Sequence, residues 1–268
     1  MPNQLSLNLI TIKKAPFKEK LAAAKAAGFS AVGLWPDELE EEIRRGTSAA
    51  KIVELLKQNN LEVAEMCALM GWMGAQGEAR QKAFAHAARV LALCESVNCP
   101  VVVACACFGT CDLDDAITDF RDLCQLAAKH KVRCALEFVG GVPQFHDVKS
   151  AWEVAEAADQ PNGGIMVDSF HFYRGNSTLA QLDAVPDEKL YLMHINDAQD
   201  LPKHELTGAN QVYPGLGVIP LEEIVALHRK KNYQGYYSLE IANPDYWEVD
   251  PKLVAREGAR ALRKLGIE

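Results

Sequence analysis

Eight short runs of β-forming residues alternate along this chain with amphipathic helical stretches, and this alternation limits the fold more than any other feature. The runs are LSLNLI (5–10), AVGLW (31–35), EVAEMCAL (62–69), VVVACAC (101–107), RCALEFV (133–139), GIMVDSF (164–170), LYLMHIN (190–196) and YYSLEIA (236–242). Helices are predicted at 16–27, 49–59, 78–98, 113–130, 148–158, 178–183, 221–231 and 254–265. Such alternation predicts βαβ units in a parallel sheet. Repeated right-handed crossovers close most simply into a barrel, so we predict a single-domain (β/α)₈ TIM barrel over residues 1–268.

The composition is that of a globular protein with an acidic surface. Hydrophobic residues make up 49% of the 268 residues, and the formal net charge is −8. A nucleic-acid partner is not expected, because phosphate binding requires a concentrated basic surface. No apolar run approaches the ~18 residues of a membrane span, and the N-terminus lacks the features of a signal peptide. The expected location is the cytoplasm, without a membrane partner.

The eight cysteines are expected to be reduced thiols, because they are dispersed through a large apolar chain. Cys105, Cys107 and Cys111 are close in sequence and suggest a zinc site. Cys105 and Cys107, however, alternate on a β-run, and no second pair stands at zinc-finger spacing. The interpretation as buried small hydrophobic residues is therefore favoured.

Four of the predicted strands end in residues of types that commonly bind metals. Glu137 follows CAL, Asp168 follows IMV, His194 follows YLM and Glu240 follows YSL. One such residue is often the first exposed position after a strand. Strands 5 to 8 are neighbours in a barrel, however, and their carboxyl ends form the usual active-site face. Three carboxylates placed there would repel one another unless a cation joined them.

The sequence therefore predicts one divalent metal ion held by these four side chains. Three oxygen ligands and one imidazole form a mostly hard set, for which Mn²⁺ is the favoured ion. Mg²⁺, Co²⁺, Fe²⁺ and Zn²⁺ also fit.

Two loops are candidates for a lid. Residues 197–220 form a stretch rich in Gly, Pro and polar residues that is too long for a simple connection, and residues 71–77 form a second candidate. Asn196 and Asp197 either orient His194 or simply begin the first loop.

Several segments of the second half carry a resemblance to a known family: ALEFVG, VDSFHF, HINDAQDLP, VYPGLGVIPL and SLEIANPDYW. Together they resemble the sugar phosphate isomerase/epimerase superfamily with the xylose isomerase-like TIM barrel, and most closely the inosose (2-keto-myo-inositol) isomerases. The first half agrees only in its pattern of strands and helices.

The resemblance implies an activity and a set of roles. The activity is isomerisation or epimerisation of a small keto-sugar or keto-polyol through an enediolate, dependent on a divalent metal. Glu137, Asp168, His194 and Glu240 match the metal ligands, and Glu137 and Glu240 also match the proton-transfer bases of related ketose 3-epimerases. His171 matches a substrate-binding histidine, for which the alternative is a structural histidine at a helix start. The resemblance also implies a homo-oligomer.

The chain departs from the family pattern at two places. Gln211 stands where inosose isomerase-like sequences usually carry an arginine that reaches the substrate, and Asp200 stands where ketose 3-epimerases carry another. Gln211 is itself predicted to contact the substrate from this position. A neutral lid argues against a phosphorylated or acidic substrate anchored there. Trp35 and Trp247 are predicted to face the substrate, because aromatic rings suit the C–H faces of sugars. Each could equally pack between barrel and helices.

Other functions remain open at this point. The alternative is a metal-dependent dehydratase of a cyclic keto-acid such as 3-dehydroshikimate, which the same ligands would serve. A phosphodiesterase or nuclease on this barrel would need more histidines and a basic surface. A non-catalytic sugar-binding protein would have little reason to keep three clustered carboxylates, which cost stability without a metal.

Overall fold

The computed structural model describes residues 4–268 and forms a closed barrel of eight parallel strands in sequence order, as predicted. The strands are β1 (Leu5–Asn8), β2 (Ala31–Leu34), β3 (Glu62–Leu69), β4 (Val101–Cys105), β5 (Arg133–Glu137), β6 (Gly163–Asp168), β7 (Leu190–Ile195) and β8 (Tyr236–Leu239). Parallel pairing of β8 with β1 closes the ring.

The helices surround this ring. They are α1 (Phe17–Ala27), α2 (Pro36–Arg44), α3 (Ala49–Gln58), α4 (Gly77–Ser96), α5 (Leu113–Ala128), α6 (Val148–Ala158), α7 (Ser169–Arg174), α8 (Leu179–Ala184), α9 (Leu221–Lys230), α10 (Pro244–Trp247) and α11 (Pro251–Lys264). Three short 3₁₀ turns occur at Leu9–Ile12, Asp187–Lys189 and Gly208–Asn210.

The strands are apolar because both of their faces are covered, as expected for a parallel barrel. One apolar cluster fills the layer between strands and helices, and a second, which includes Val103, Ala135 and Met166, fills the barrel interior. Several helix starts are capped by side chains. For example, Asp147 and Ser150 form a reciprocal capping box at α6.

The predicted strands overlap the observed ones, but most run too far at their carboxyl ends. The run 236–242, for example, contains a strand that ends at Leu239. Residues beyond the ladder stay apolar because loops bury them; Phe138, directly after β5, is fully buried. The helices α2, α7 and α10 were not predicted, since each is short and lies within a strand-to-helix connection.

The long segment 197–220 is ordered by its own contacts. Asp197–Ala198 pairs in antiparallel fashion with Gln211–Val212, so the predicted loop contains a small two-stranded ribbon. The carboxylate of Asp197 accepts hydrogen bonds from the backbone N–H groups of Gly215, Gly217 and Ile219, each at 2.9 Å. Of the two alternatives for Asp197, the structure shows the second: it begins and anchors the loop.

All eight cysteines are free, and six of them are buried. Cys107 lies beyond the end of β4 and is half-buried, so it does not continue the strand as predicted. Its Sγ lies 3.7 Å from that of Cys111, which is also half-buried. Within residues 4–268 no helix is long and apolar enough to cross a membrane.

Candidate metal centre

The four predicted ligands lie on adjacent strands at the carboxyl end of the barrel. Glu137 ends β5, Asp168 ends β6, His194 is the penultimate residue of β7, and Glu240 directly follows β8. The register of the ladder places Asp168 beside His194. The barrel itself therefore brings together the residues that the sequence separates by more than a hundred positions.

The ligand atoms of this group converge. One ligand atom from each of Glu137, Asp168 and His194 lies within 4.8 Å of the others. Glu240 completes the group, because its Oε2 lies 3.0 Å from Nδ1 of His194. His194 is fully buried, and neither of its ring nitrogens has a well-directed hydrogen bond in the described chain.

Burial governs the electrostatics of the cluster. Loss of solvent raises the pKa values of Glu137 and Asp168 above their usual range, and nearby histidines only partly offset it. Burial also tends to raise the pKa of Glu240, but the interaction with the adjacent His194 outweighs it, and the pKa is lowered. Burial would lower the pKa of His194, yet the carboxylates of Glu240 and Glu65 raise it well above its usual value.

These observations fit a divalent cation. Carboxylates crowded into a desolvated site resist ionisation together, and a buried imidazole without directed hydrogen bonds is a costly arrangement unless the nitrogen has a ligand role. A cation would neutralise the charges and occupy the imidazole lone pair. Three carboxylates and one imidazole suit the hard and borderline metals that the sequence predicted.

Asn196 and Ser169 hold the group from behind. The Asn196 amide donates to Oδ2 of Asp168 (3.3 Å) and to the backbone carbonyl of Glu240 (3.0 Å). The Ser169 hydroxyl in turn donates to Oδ1 of Asn196 at 2.9 Å. Asn196 therefore orients Asp168 and the backbone of Glu240. The sequence had predicted that it would orient His194, or else simply begin the loop.

A cavity of about 210 Å³ opens above the cluster. Three of the four predicted ligands line it, together with three of the four predicted substrate contacts: Glu137, Asp168, Glu240, His171, Trp35 and Gln211. The fourth ligand, His194, lies beneath the cavity floor, since it is fully buried. The lining within residues 4–268 includes no lysine or arginine.

His171 faces this cavity from α7. Its backbone N–H is capped by Oδ1 of Asp168 at 2.9 Å, which explains the spacing of three residues between them. The ring is only partly buried, and its Nδ1 has no hydrogen-bond partner within the described residues. An imidazole held in this way can accept or donate a hydrogen bond to a ligand in the cavity.

Gln211 is fixed by the segment that follows β8. Its side-chain oxygen accepts a hydrogen bond from the backbone N–H of Ala242 at 2.6 Å, and its carbonyl accepts one from the amide of Asn243 at 3.0 Å. The amide nitrogen is the part of this side chain that remains for a ligand.

Trp247 is not brought into the cavity. It lies in α10 and lines a separate depression with Ile12 and Val249. The ammonium group of Lys13 stands 4.9 Å from the centre of its ring. The prediction used closeness to Glu240 in sequence, but the chain turns outward through α10 before it reaches this residue.

Sequence reasoning missed two thiols and one carboxylate. Cys67 and Cys105 line the cavity, and the Cys105 thiol donates to Oε2 of Glu137 at 2.9 Å. Burial and the neighbouring carboxylates raise the pKa values of both thiols well above their usual value. Glu65 lies within the barrel beside His194. Its signal was present in EVAEMCAL, where a glutamate occupies the interior of an apolar strand.

Comparison with known families agrees with this geometry. The family model described as xylose isomerase-like TIM barrel matches residues 21–265. The chain belongs to this family. The match extends through the first half, where the sequence alone gave only a pattern of strands and helices.

Individual relatives cover the chain to different extents. An inosose isomerase from Halalkalibacterium halodurans is 30% identical over 149 residues, which is 55% of this chain and 51% of that protein. The chain thus spans about half of the length of the first curated relatives that it matches. A 3-dehydroshikimate dehydratase from Pseudomonas aeruginosa is 25% identical over 249 residues, which is 91% of this chain and 39% of that protein.

A solved structure gives the same fold over almost the whole chain. The IolI protein, crystallised with a bound zinc atom, superposes with a TM-score of 0.91 at 20% identity and covers 98% of this chain and 97% of its own. At this identity the likeness shows the fold.

Proposed function

We propose that this protein is a divalent-metal-dependent isomerase or epimerase of a small, uncharged keto-sugar or keto-polyol similar to an inosose. The observation that carries the proposal is the convergence of Glu137, Asp168, His194 and Glu240 at a small cavity whose described lining has no lysine or arginine. The inosose isomerases among its relatives support the substrate class.

In this proposal the four side chains hold one metal ion, for which Mn²⁺ remains our expectation. When bound, the cation stabilises the negative charge that develops on substrate oxygens as a neighbouring carbon loses a proton. A metal held by rigid strand ends needs little reorganisation to supply this stabilisation.

Proton transfer falls to Glu137 and Glu240. They come from the two outer strands of the four-strand arc, so they approach the cavity from separated positions. One carboxylate can remove a proton from the substrate carbon, and the other can return a proton to an adjacent carbon or to the opposite face. Return to the adjacent carbon is isomerisation, and return to the opposite face is epimerisation.

Binding of the substrate is assigned to the remaining lining residues. The cavity, at about 210 Å³, lies below the usual range of about 300–1,000 Å³ for ligand pockets and suits a small molecule. His171 and the amide nitrogen of Gln211 can hydrogen-bond to hydroxyl groups. The half-buried ring of Trp35 provides an apolar wall for C–H groups.

A dehydratase remains the second candidate, supported by the match to 3-dehydroshikimate dehydratases over 91% of this chain. Its substrate carries a carboxylate, for which a cationic contact would be expected. The described cavity lining offers no lysine or arginine for such a contact, and this observation favours the uncharged substrate.

Metal analysis and proton exchange together test the proposal. The purified protein is reconstituted with Mn²⁺ and incubated in D₂O with inososes, ketohexoses or 3-dehydroshikimate. We expect bound metal near one equivalent and deuterium uptake next to the carbonyl of a keto-polyol. Loss of water from 3-dehydroshikimate instead would support the dehydratase, and absence of exchange with every compound would contradict deprotonation beside a carbonyl.

The Glu240→Gln variant is the sharpest probe of the assigned bases. It should fold but lose exchange by at least a hundredfold, in line with the usual contribution of a general base. Glu248→Gln is the matched control, because Glu248 follows the same strand but its side chain is 65% exposed. Full exchange by Glu240→Gln would show that Glu240 is not a base.

A further inference from the structure

Glu65 is a buried carboxylate that the four-ligand site does not include. It lies in the middle of β3, on the side of the barrel opposite the metal ligands, and its side chain is fully buried. Its Oε1 accepts a hydrogen bond from the Ser238 hydroxyl at 2.7 Å and lies 3.4 Å from the amide nitrogen of Asn8. A carboxylate is rarely kept in a barrel interior unless it serves a specific partner.

The group that faces Glu65 is His194. Nε2 of His194 stands 3.6 Å from Oε1 of Glu65, while Nδ1, on the other side of the ring, points to Glu240. In the described chain, neither Nε2 of His194 nor Oε2 of Glu65 has a hydrogen-bond partner. An unpartnered imidazole nitrogen therefore faces a buried carboxylate beneath the site, and the second oxygen of that carboxylate is also unpartnered.

The surrounding residues make room for this arrangement and fix it. A Cβ at position 33 would overlap the Glu65 carboxylate, so Gly33 in β2 leaves the space that the carboxylate fills. Asn8 receives a hydrogen bond from the indole of Trp35 at 2.7 Å through its Oδ1, which turns its amide nitrogen toward Glu65. Ser238 and Asn8 thus hold the Glu65 carboxylate in place independently of His194.

We propose that Glu65 is a positioning residue that accepts the Nε2–H of His194 and so keeps the Nδ1 lone pair directed at the metal ion. The inference rests on the proposed metal centre. A neutral imidazole carries one N–H, and an acceptor at Nε2 selects the tautomer in which Nδ1 is free to bind a cation. The two atoms stand 3.6 Å apart, and with a cation on Nδ1 a small shift of either side chain would bring them to hydrogen-bond length.

Two substitutions separate an acceptor role from a packing role. Glu65→Gln keeps a carbonyl oxygen where Ser238, Asn8 and His194 converge, whereas Glu65→Met fills a similar volume without an acceptor. We expect Glu65→Met to weaken metal binding about 10- to 100-fold, as outer-shell substitutions usually do. Glu65→Gln should stay within about fivefold of the wild type. Glu62→Gln, on the same strand but exposed, is the control and should bind like the wild type.

Metal affinity is measured by competition with a chelator, and folding of each metal-free variant by urea unfolding. A third measurement uses the wild type itself: ¹⁵N NMR of the protein loaded with diamagnetic Zn²⁺, with the His194 signal identified by its loss in His194→Gln. We expect the proton on Nε2 in the wild type. This readout is independent of activity and of whether Glu65→Met folds.

The outcomes are distinct. A proton on Nδ1 of His194 in the Zn²⁺ form, wild-type affinity in Glu65→Met, or equal losses in the Gln and Met variants would each overturn the role of Glu65 alone. Failure of the wild type to bind any divalent metal would overturn the metal centre, and this inference with it.

Discussion

Removal of the Asp197 carboxylate should release the loop that bounds the site on one side. This side chain is almost fully buried and accepts hydrogen bonds from four backbone N–H groups, those of Ala198, Gly215, Gly217 and Ile219, each at 2.9 Å. Three of these donors lie some twenty residues further along the chain. In Asp197→Ala they lose their partner at once.

The magnitude follows from the contacts. A hydrogen bond to a charged group contributes roughly 1.5–3 kcal/mol, but such contributions are not additive, and water can enter an opened loop. We therefore expect Asp197→Ala to lower the free energy of unfolding by about 3–5 kcal/mol, within the range for loss of a buried charged network. Asp197→Asn retains Oδ1 and should lose about half as much, because its amide then faces Gly215 and Gly217.

Urea unfolding measures this effect, and Asp200→Asn, an exposed position in the same loop, is the control. The KM for the substrate should also rise, since the ribbon that Asp197 begins carries Gln211 into the cavity. Unfolding energies of Asp197→Ala and the wild type that agree within 1 kcal/mol would refute the reasoning, because the loop would then be held by other contacts.

Three further predictions concern other parts of the molecule. His228 is buried, and loss of solvent lowers its pKa to about 4. The neutral imidazole therefore contributes fully to the free energy of unfolding above about pH 6.5, and this contribution should be lost as the pH falls toward 4. The resulting fall in the free energy of unfolding between pH 7 and pH 4, about 3 kcal/mol, should be absent in His228→Phe when both proteins are unfolded across this pH range. Trp35→Leu should raise KM about tenfold because an aromatic wall is lost, whereas Trp247→Leu should leave KM within twofold; equal effects would contradict the placement of the two rings. Divalent metal at a thousand times its Kd should add about 4 kcal/mol to stability, measured as a rise in Tm that EDTA reverses, and an unchanged Tm would argue against the metal centre.

Sequence reasoning reached the barrel and the four clustered side chains because both depend on a repeated pattern. Strands in a parallel barrel end at one face, so residues such as Asp168 and His194 can be placed together from their position at strand ends alone. What it could not reach depends on turns that carry no periodic signal. Trp247 was assigned to the site from its closeness to Glu240 in sequence, and a four-residue helix takes it away.

Glu65 illustrates a different limit. A glutamate in an apolar strand is visible in the sequence, but its partner His194 lies 129 positions away on the far side of the barrel, and only the closed ring shows that they meet. Gln211 shows that a substitution can be seen in the sequence when its contacts cannot. The neutral side chain at position 211 was evident from the sequence, while its hydrogen bonds to the segment after β8 required the structure.

The two halves of the barrel contribute different parts of the site, so one half can be exchanged without the other. The four metal-type side chains come from β5 to β8, whereas Trp35 and Cys67, which wall the cavity, come from the region of β2 and β3. A hybrid that joins the first four βα units of a relative to the last four of this chain would therefore exchange the wall formed by Trp35 and Cys67, while it retains His171, Gln211 and the carboxylates proposed to transfer protons. Position 65 sets the condition for such a graft, because a donor half that lacks a carboxylate there would leave the histidine of the recipient half without its acceptor.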